Sequence, residues 1–164
     1  METQAKEKAY SKLGFDKEEA TQIVDALNTL LCNYSVVYQK IRNFHWNVVG
    51  GDFFDVHEKL EAEYLHAAET IDSVAERIRI LGFKPMSTLA AYLEHADIEE
   101  SEGDLSSNEM IKAVIADYEL LLSFMVDVAD LAIDFGDIGT ETLMRHLIVR
   151  TEKRHWMFSA FAKK

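Results

Sequence analysis

Two turn-forming residue types are scarce in this sequence: 164 residues contain one proline, Pro85, and seven glycines. A β-sandwich or barrel needs a turn roughly every 10 residues, so this scarcity excludes those folds and leaves long helices. Cysteine is as rare as proline. Cys32 has no second cysteine to pair with and sits in the apolar run Leu30-Leu31-Cys32, which predicts a buried thiol in a reducing, cytoplasmic setting. No opening segment joins basic residues to an apolar stretch, and no apolar run reaches the ~18 residues of a membrane span, so neither secretion nor insertion is expected. Positive charge is also short, with 17 Lys and Arg against 29 Asp and Glu and a formal charge of −12. Such a field opposes nonspecific nucleic-acid binding and attracts cations.

Apolar residues make up 48% of the chain, enough for the core of one domain spanning 1–164. Residues 1–15 read as a flexible arm. Asp16 with Glu19 has capping-box spacing and predicts a helix to about Asn43, with Ile23, Leu27, Leu30, Tyr34, Val37 and Ile41 on one stripe. Gly50-Gly51-Asp52 breaks the pattern and offers Asp52 as a cap. Leu60, Tyr64, Ala67, Ile71, Val74 and Ile78 then mark a second helix ending near Gly82. Ser87 to Glu94 predicts a short helix within a long connection. Ile111, Val114, Tyr118, Leu121, Met125 and Val128 mark a third long helix, from near Ser107 to Asp134–Gly136. A fourth is expected after Gly139-Thr140, turning Leu143, Leu147, Phe158 and Phe161 inward. The fold class is therefore all-α, a ferritin-like four-helix bundle with a short extra helix in the connection between helices two and three.

The chemically loaded segment runs Asn43-Phe44-His45-Trp46, then His57-x3-Glu61, then Asp72-x3-Glu76. Polar pairs four residues apart ordinarily mark a solvated helical face. Here, however, helical rotation of ~100° per residue puts all four residues of the second helix on one flank. Glu61 and Asp72 lie 11 residues apart, or about 16 Å along the axis, too far for one metal bonded at ~2 Å to each ligand. Two copies packed antiparallel about a two-fold axis would bring His57 and Glu61 of one chain to Asp72 and Glu76 of the other. Carboxylates with imidazole suit iron, manganese or zinc, and His45 can add a further ligand. Trp46 can give up an electron and so quench radicals, although an aromatic ring there also serves simple packing.

Asn-x-His45-Trp46, the spacing His45-x11-His57-x3-Glu61-x10-Asp72-x3-Glu76 and the following Arg77 resemble the ferroxidase signature of the Dps family, the mini-ferritins named for DNA protection during starvation. The likeness extends from the first helix to Trp156-Met157-Phe158. It implies a hollow dodecamer with metal sites at its two-fold interfaces, which oxidises Fe(II), preferably with hydrogen peroxide, and stores the ferric mineral inside. His45, His57, Glu61, Asp72 and Glu76 would hold the iron. Many family members carry Asp where this chain has Glu61, which alters the reach of that carboxylate. DNA-binding members often use a Lys-rich tail, whereas Lys6, Lys8 and Lys12 here are mixed with Glu2 and Glu7, so DNA binding is not expected at physiological salt.

Two rival readings remain at this level. A bacterioferritin-like di-iron centre inside one bundle would use Glu63-x2-His66 and Glu152-x2-His155 with Glu119, but Glu63 and His66 cannot both point inward on one helix. A non-catalytic, DNA-protecting shell is opposed by the acidic charge. Finally, Asp127, Asp130, Asp134, Asp137 and Glu141 recur every three or four residues. They form a solvated face or, as acidic residues in this region do in the family, line an iron-entry pore.

Overall fold

The computed structural model describes residues 9–163. Helix α1 (Ala9–Lys12) is a single turn, and α2 (Lys17–Asn47) opens on the expected capping box. Asp16 accepts from the backbone N–H groups of Glu18 and Glu19 at 2.8 and 2.9 Å, and Glu19 returns the bond to the Asp16 N–H at 3.0 Å. The helix continues past Asn43 because Phe44 and His45 are buried, and one more turn carries both into the core. Of the expected arm, residues 1–8 lie outside the described residues. The remainder is docked rather than free: Tyr10 packs on Phe83 with ring centres 5.6 Å apart, and Phe15 lies against the core.

Helix α3 (Phe53–Ile80) has Asp52 at its cap position, but the Asp52 side chain caps nothing. Instead it accepts from the Ser107 hydroxyl at 2.7 Å, tying the start of α3 to the start of α5 (Ser107–Asp134). Gly82, with φ of +89°, turns the chain out of α3, and the Phe83 N–H reaches back to the Ile78 carbonyl at 3.1 Å. Helix α4 (Leu89–His95) follows, capped by Thr88. Helix α6 (Ile138–Ala162) starts before Gly139-Thr140, where sequence placed it, because Asp137 is its cap and accepts from the Thr140 N–H at 3.0 Å.

The expected stripes of α2 and α5 are buried throughout; on α3, Tyr64 and Ile71 are only partly covered. On α6 the inward line is Met144, Leu147, Thr151 and Phe158. Leu143 lies at its edge, and Phe161 is 44% exposed, bordering a surface pocket with Val56 and Ile111. Cys32 is buried as expected, and burial pushes its thiol up to about 11.

Side-chain pairs fix the helix directions. As α3 runs back from Arg77 to Glu63, its partners on α6 advance from Asp137 to Arg150. As α2 runs back from Lys40 to Tyr34, its partners on α5 advance from Asp117 to Met125. Helices α2 and α3 also form a hairpin across a short connection, so α3 and α5 run in the same direction. Successive helices that run in the same direction cannot be joined by a tight turn, which is why the chain needs the long crossover carrying α4.

Candidate metal centre

The short connection between α2 and α3 sets the last turn of one helix against the start of the other, and there His45 meets His57. Their rings stack with centres 3.7 Å apart and planes 19° from parallel. Nδ1 of His45 lies 2.9 Å from the backbone carbonyl of His57, and Nδ1 of His57 lies 2.8 Å from that of His45. A carbonyl oxygen only accepts, so each Nδ1 carries a proton, and in the neutral ring each Nε2 keeps its lone pair. Phe53 covers the His57 ring at 4.9 Å, and Tyr64 meets His45 edge-on at 5.2 Å. These bonds and ring contacts fix the orientation of both imidazoles and leave Nε2 of each as the nitrogen not bonded to a carbonyl.

Glu61 follows His57 by one turn and is exposed, as are Asp72 and Glu76 farther along α3. One chain thus brings His45 and His57 together, with Glu61 a turn away, and leaves Asp72 and Glu76 on a distant stretch of the same flank. Among the described residues, no three His, Cys, Asp or Glu side chains gather to hold a metal. Trp46 projects outward at 57% exposure with the Arg42 guanidinium 4.7 Å above its ring; the same guanidinium lies 5.1 Å above Tyr38. Sequence reasoning missed Arg42, Tyr38 and Tyr64, although Tyr38 and Arg42 lie a turn or two before His45 on α2.

The rival centre inside the bundle has lost its carboxylates to other partners. Glu63 is buried, but its oxygens are taken by Arg150 at 3.1 Å, Arg154 at 2.9 Å and the Tyr118 hydroxyl at 2.6 Å. Two guanidinium groups stand where a cation would be needed. His66 is half-buried and points elsewhere, Glu152 faces solvent, and His155 pairs with Glu119 at 3.0 Å.

Within the acidic series, Asp127, Asp130 and Asp134 are exposed, whereas Asp137 is not available to a pore. It is 1% exposed and receives Arg77 Nη2 at 2.6 Å and both the backbone N–H and hydroxyl of Thr140. Burial opposes its ionisation, but the bonds from Arg77 and Thr140 outweigh burial and hold the carboxyl below its usual range. Sequence spacing grouped Asp137 with the others; its place as the α6 cap removes it. Gly139 makes this possible, since a Cβ there would come within 2.9 Å of Arg77 Nη1. Glu141 is likewise engaged, by Arg145 at 2.6 Å.

The model of the ferritin-like domain family matches residues 24–164. The chain is 40% identical over 135 residues to the DNA protection during starvation protein of Brevibacillus brevis, covering 82% of this chain and 91% of that protein. It is 36% identical over 140 residues to DNA protection during starvation protein 2 of Bacillus anthracis, covering 85% and 96%. The crystal structure of a Dps protein from Vibrio cholerae, described as a member of a broad superfamily of ferritin-like diiron-carboxylate proteins, superimposes with a TM-score of 0.92 at 34% identity, over 97% of this chain and all of that one.

Proposed function

The chain belongs to the ferritin-like family and, within it, to the Dps proteins, and from that premise we propose that it is a ferroxidase whose substrate, Fe(II), is bound and oxidised between two copies. The observation that carries this reading is the reciprocal lock of His45 and His57, which engages each Nδ1 with a backbone carbonyl and leaves each Nε2 out of it, one helical turn from Glu61. Asp72 and Glu76 of the partner subunit complete the donor set. Imidazole with carboxylate suits Fe(II), and the gathered negative charge favours the ferric product still more.

Hydrogen peroxide is the oxidant. Each peroxide takes one electron from each of two Fe(II) and two protons from solution, giving two Fe(III) and two waters. Consuming both electrons together avoids release of hydroxyl radical, and the ferric product is stored inside a hollow homo-oligomer, a dodecamer. Exposed Asp127, Asp130 and Asp134 guide the cation inward. Protection then comes from removing iron and peroxide, with DNA binding weak at most, because the charge of −12 disfavours association with a polyanion.

Mixing two inactive variants tests the shared site. His57→Ala and Asp72→Ala each damage both sites of a two-fold pair, but a mixed pair has one doubly damaged site and one intact site. With random subunit exchange, about a quarter of wild-type oxidation should return. If exchange is demonstrated by mass labelling and no activity returns, the site lies within one chain and the proposal fails.

A further inference from the structure

Two side chains, one near the end of α2 and one at the start of α3, reach past their own helices to a single stretch of the crossover. Asn43, which opens the Asn-x-His45 motif, donates its side-chain amide to the Ser101 carbonyl at 2.5 Å. Asp52 accepts from the Ser107 hydroxyl at 2.7 Å and caps no N–H of its own helix. Between those two anchors Gly103 is buried with φ of +86°, and a Cβ there would come within 2.8 Å of the Asn43 amide oxygen. Segment 101–107 therefore straps the α2–α3 corner at which His45 and His57 stack.

The strap is itself held at both ends. Upstream, the Asn33 side chain on α2 accepts from the backbone N–H groups of Asp97 and Ile98 at 3.0 and 2.9 Å, and Ile98 is buried. Downstream, Ser106 and Glu109 close the capping box that starts α5. By contrast, the direct link between α2 and α3 runs through Gly50 and Gly51, both exposed, whose backbones resist bending least.

We propose that Asn43, Asp52, Gly103 and Ser107 are positioning residues for iron binding: by strapping the corner they hold His45 and His57 close enough for the reciprocal bonds that orient both rings. The inference rests on the ferroxidase reading and adds to it four residues that touch no iron. A metal site tolerates displacement of its ligands by only about 0.5 Å. Each Nδ1-to-carbonyl bond spans the two helices, so both lengthen when the corner opens. The rings are then free to turn, and two aimed donors become two mobile ones. Losing groups that orient ligands in this way typically weakens metal binding by about 10- to 100-fold.

Co(II) titration of the assembled protein, followed by visible absorption, reads affinity and ligand geometry together; the part of the spectrum that His57→Ala abolishes belongs to the site. Iron oxidation over a range of Fe(II) concentrations separates KM from kcat. Asn43→Ala, Gly103→Ala and Ser107→Ala should each weaken Co(II) binding by roughly tenfold or more, alter its spectrum and raise KM for Fe(II) in step, with kcat within about twofold. Ser107→Thr restores the hydroxyl and Asp52→Asn keeps an accepting oxygen without the charge, so both should bind Co(II) as wild type does, whereas Asp52→Ala should not. Glu63→Gln loosens the bundle at the α3–α6 seam and should also match wild type. Unchanged Co(II) affinity in Asn43→Ala and Ser107→Ala would overturn the proposal. So would an equal loss in Glu63→Gln, because general loosening would then account for the effect. Wild type that binds no Co(II) and oxidises no iron would instead remove the ferroxidase reading on which the role of the strap stands.

Discussion

Asp137 shows how much one buried carboxylate can organise. It caps α6, receives Arg77 from α3 and satisfies Thr140, so three elements of local order depend on its charge. Asp137→Asn leaves a largely buried guanidinium without its counter-ion and should cost about 3 kcal/mol near neutral pH. The folded-state carboxyl titrates below its usual range, so its contribution is fully present above the unfolded value of about 4 and is lost as pH falls through the folded value. Thermal melts of wild type and variant should therefore differ at pH 7 and converge in strong acid. A gap that persisted unchanged into acid would mean that the ion pair is not the source of the stability. Sequence placed Asp137 in an acidic series on spacing alone, because spacing does not report which carboxylate an arginine 60 residues away will claim.

Between elements, the α3–α6 seam is held by a polar cluster inside an apolar bundle. Glu63 binds Arg150, Arg154 and Tyr118, and burial, with the Glu63 charge adding to it, pushes the Tyr118 hydroxyl well above its ordinary value. Fully satisfied, such a cluster fixes helix register; half satisfied, it is costly. Glu63→Gln should destabilise the protein by about 3 kcal/mol in denaturant titration, since two guanidinium groups then share a neutral partner. Its rate of iron oxidation should match wild type once the protein is folded. A loss of oxidation would instead place the chemistry inside the bundle. Helix arithmetic anticipated that Glu63 and His66 diverge. It did not anticipate Arg150 and Arg154, whose positions late in α6 read equally well as a favourable interaction with the helix dipole.

At the scale of the whole molecule, the surface carries its own argument for assembly. Helix α4 turns Leu89 and Leu93 outward at 80% and 52% exposure, and with Val36, Tyr38 and Ile71 they border a groove of about 500 Å³. Ile71 precedes Asp72, so this groove borders the acidic pair that the proposed site would take from a second copy. Burying a leucine contributes roughly 1.5–3 kcal/mol, and a two-fold interface counts it twice, so Leu93→Glu should weaken pairing by about a hundredfold or more. Size-exclusion chromatography should show smaller species, circular dichroism should show unchanged helix content, and iron oxidation should fall with the assembly. Intact assembly in the variant would locate the metal-bearing interface elsewhere.

Sequence alone determined the helices and most of their apolar faces and nominated the candidate ligands, because periodicity, caps and spacing are local properties of the chain. It also determined that a single chain cannot bring Glu61 and Asp72 to one metal, since rise per residue is a property of the helix itself. Tertiary structure decided what depends on contacts distant in sequence. Asp52 became a tie to Ser107, Asp137 left the acidic face for Arg77, and Glu63 was neutralised by arginines from α6. The stacking of His45 on His57 also belongs there, because the carbonyls that fix their protons come from the opposite helix and only packing brings them within reach.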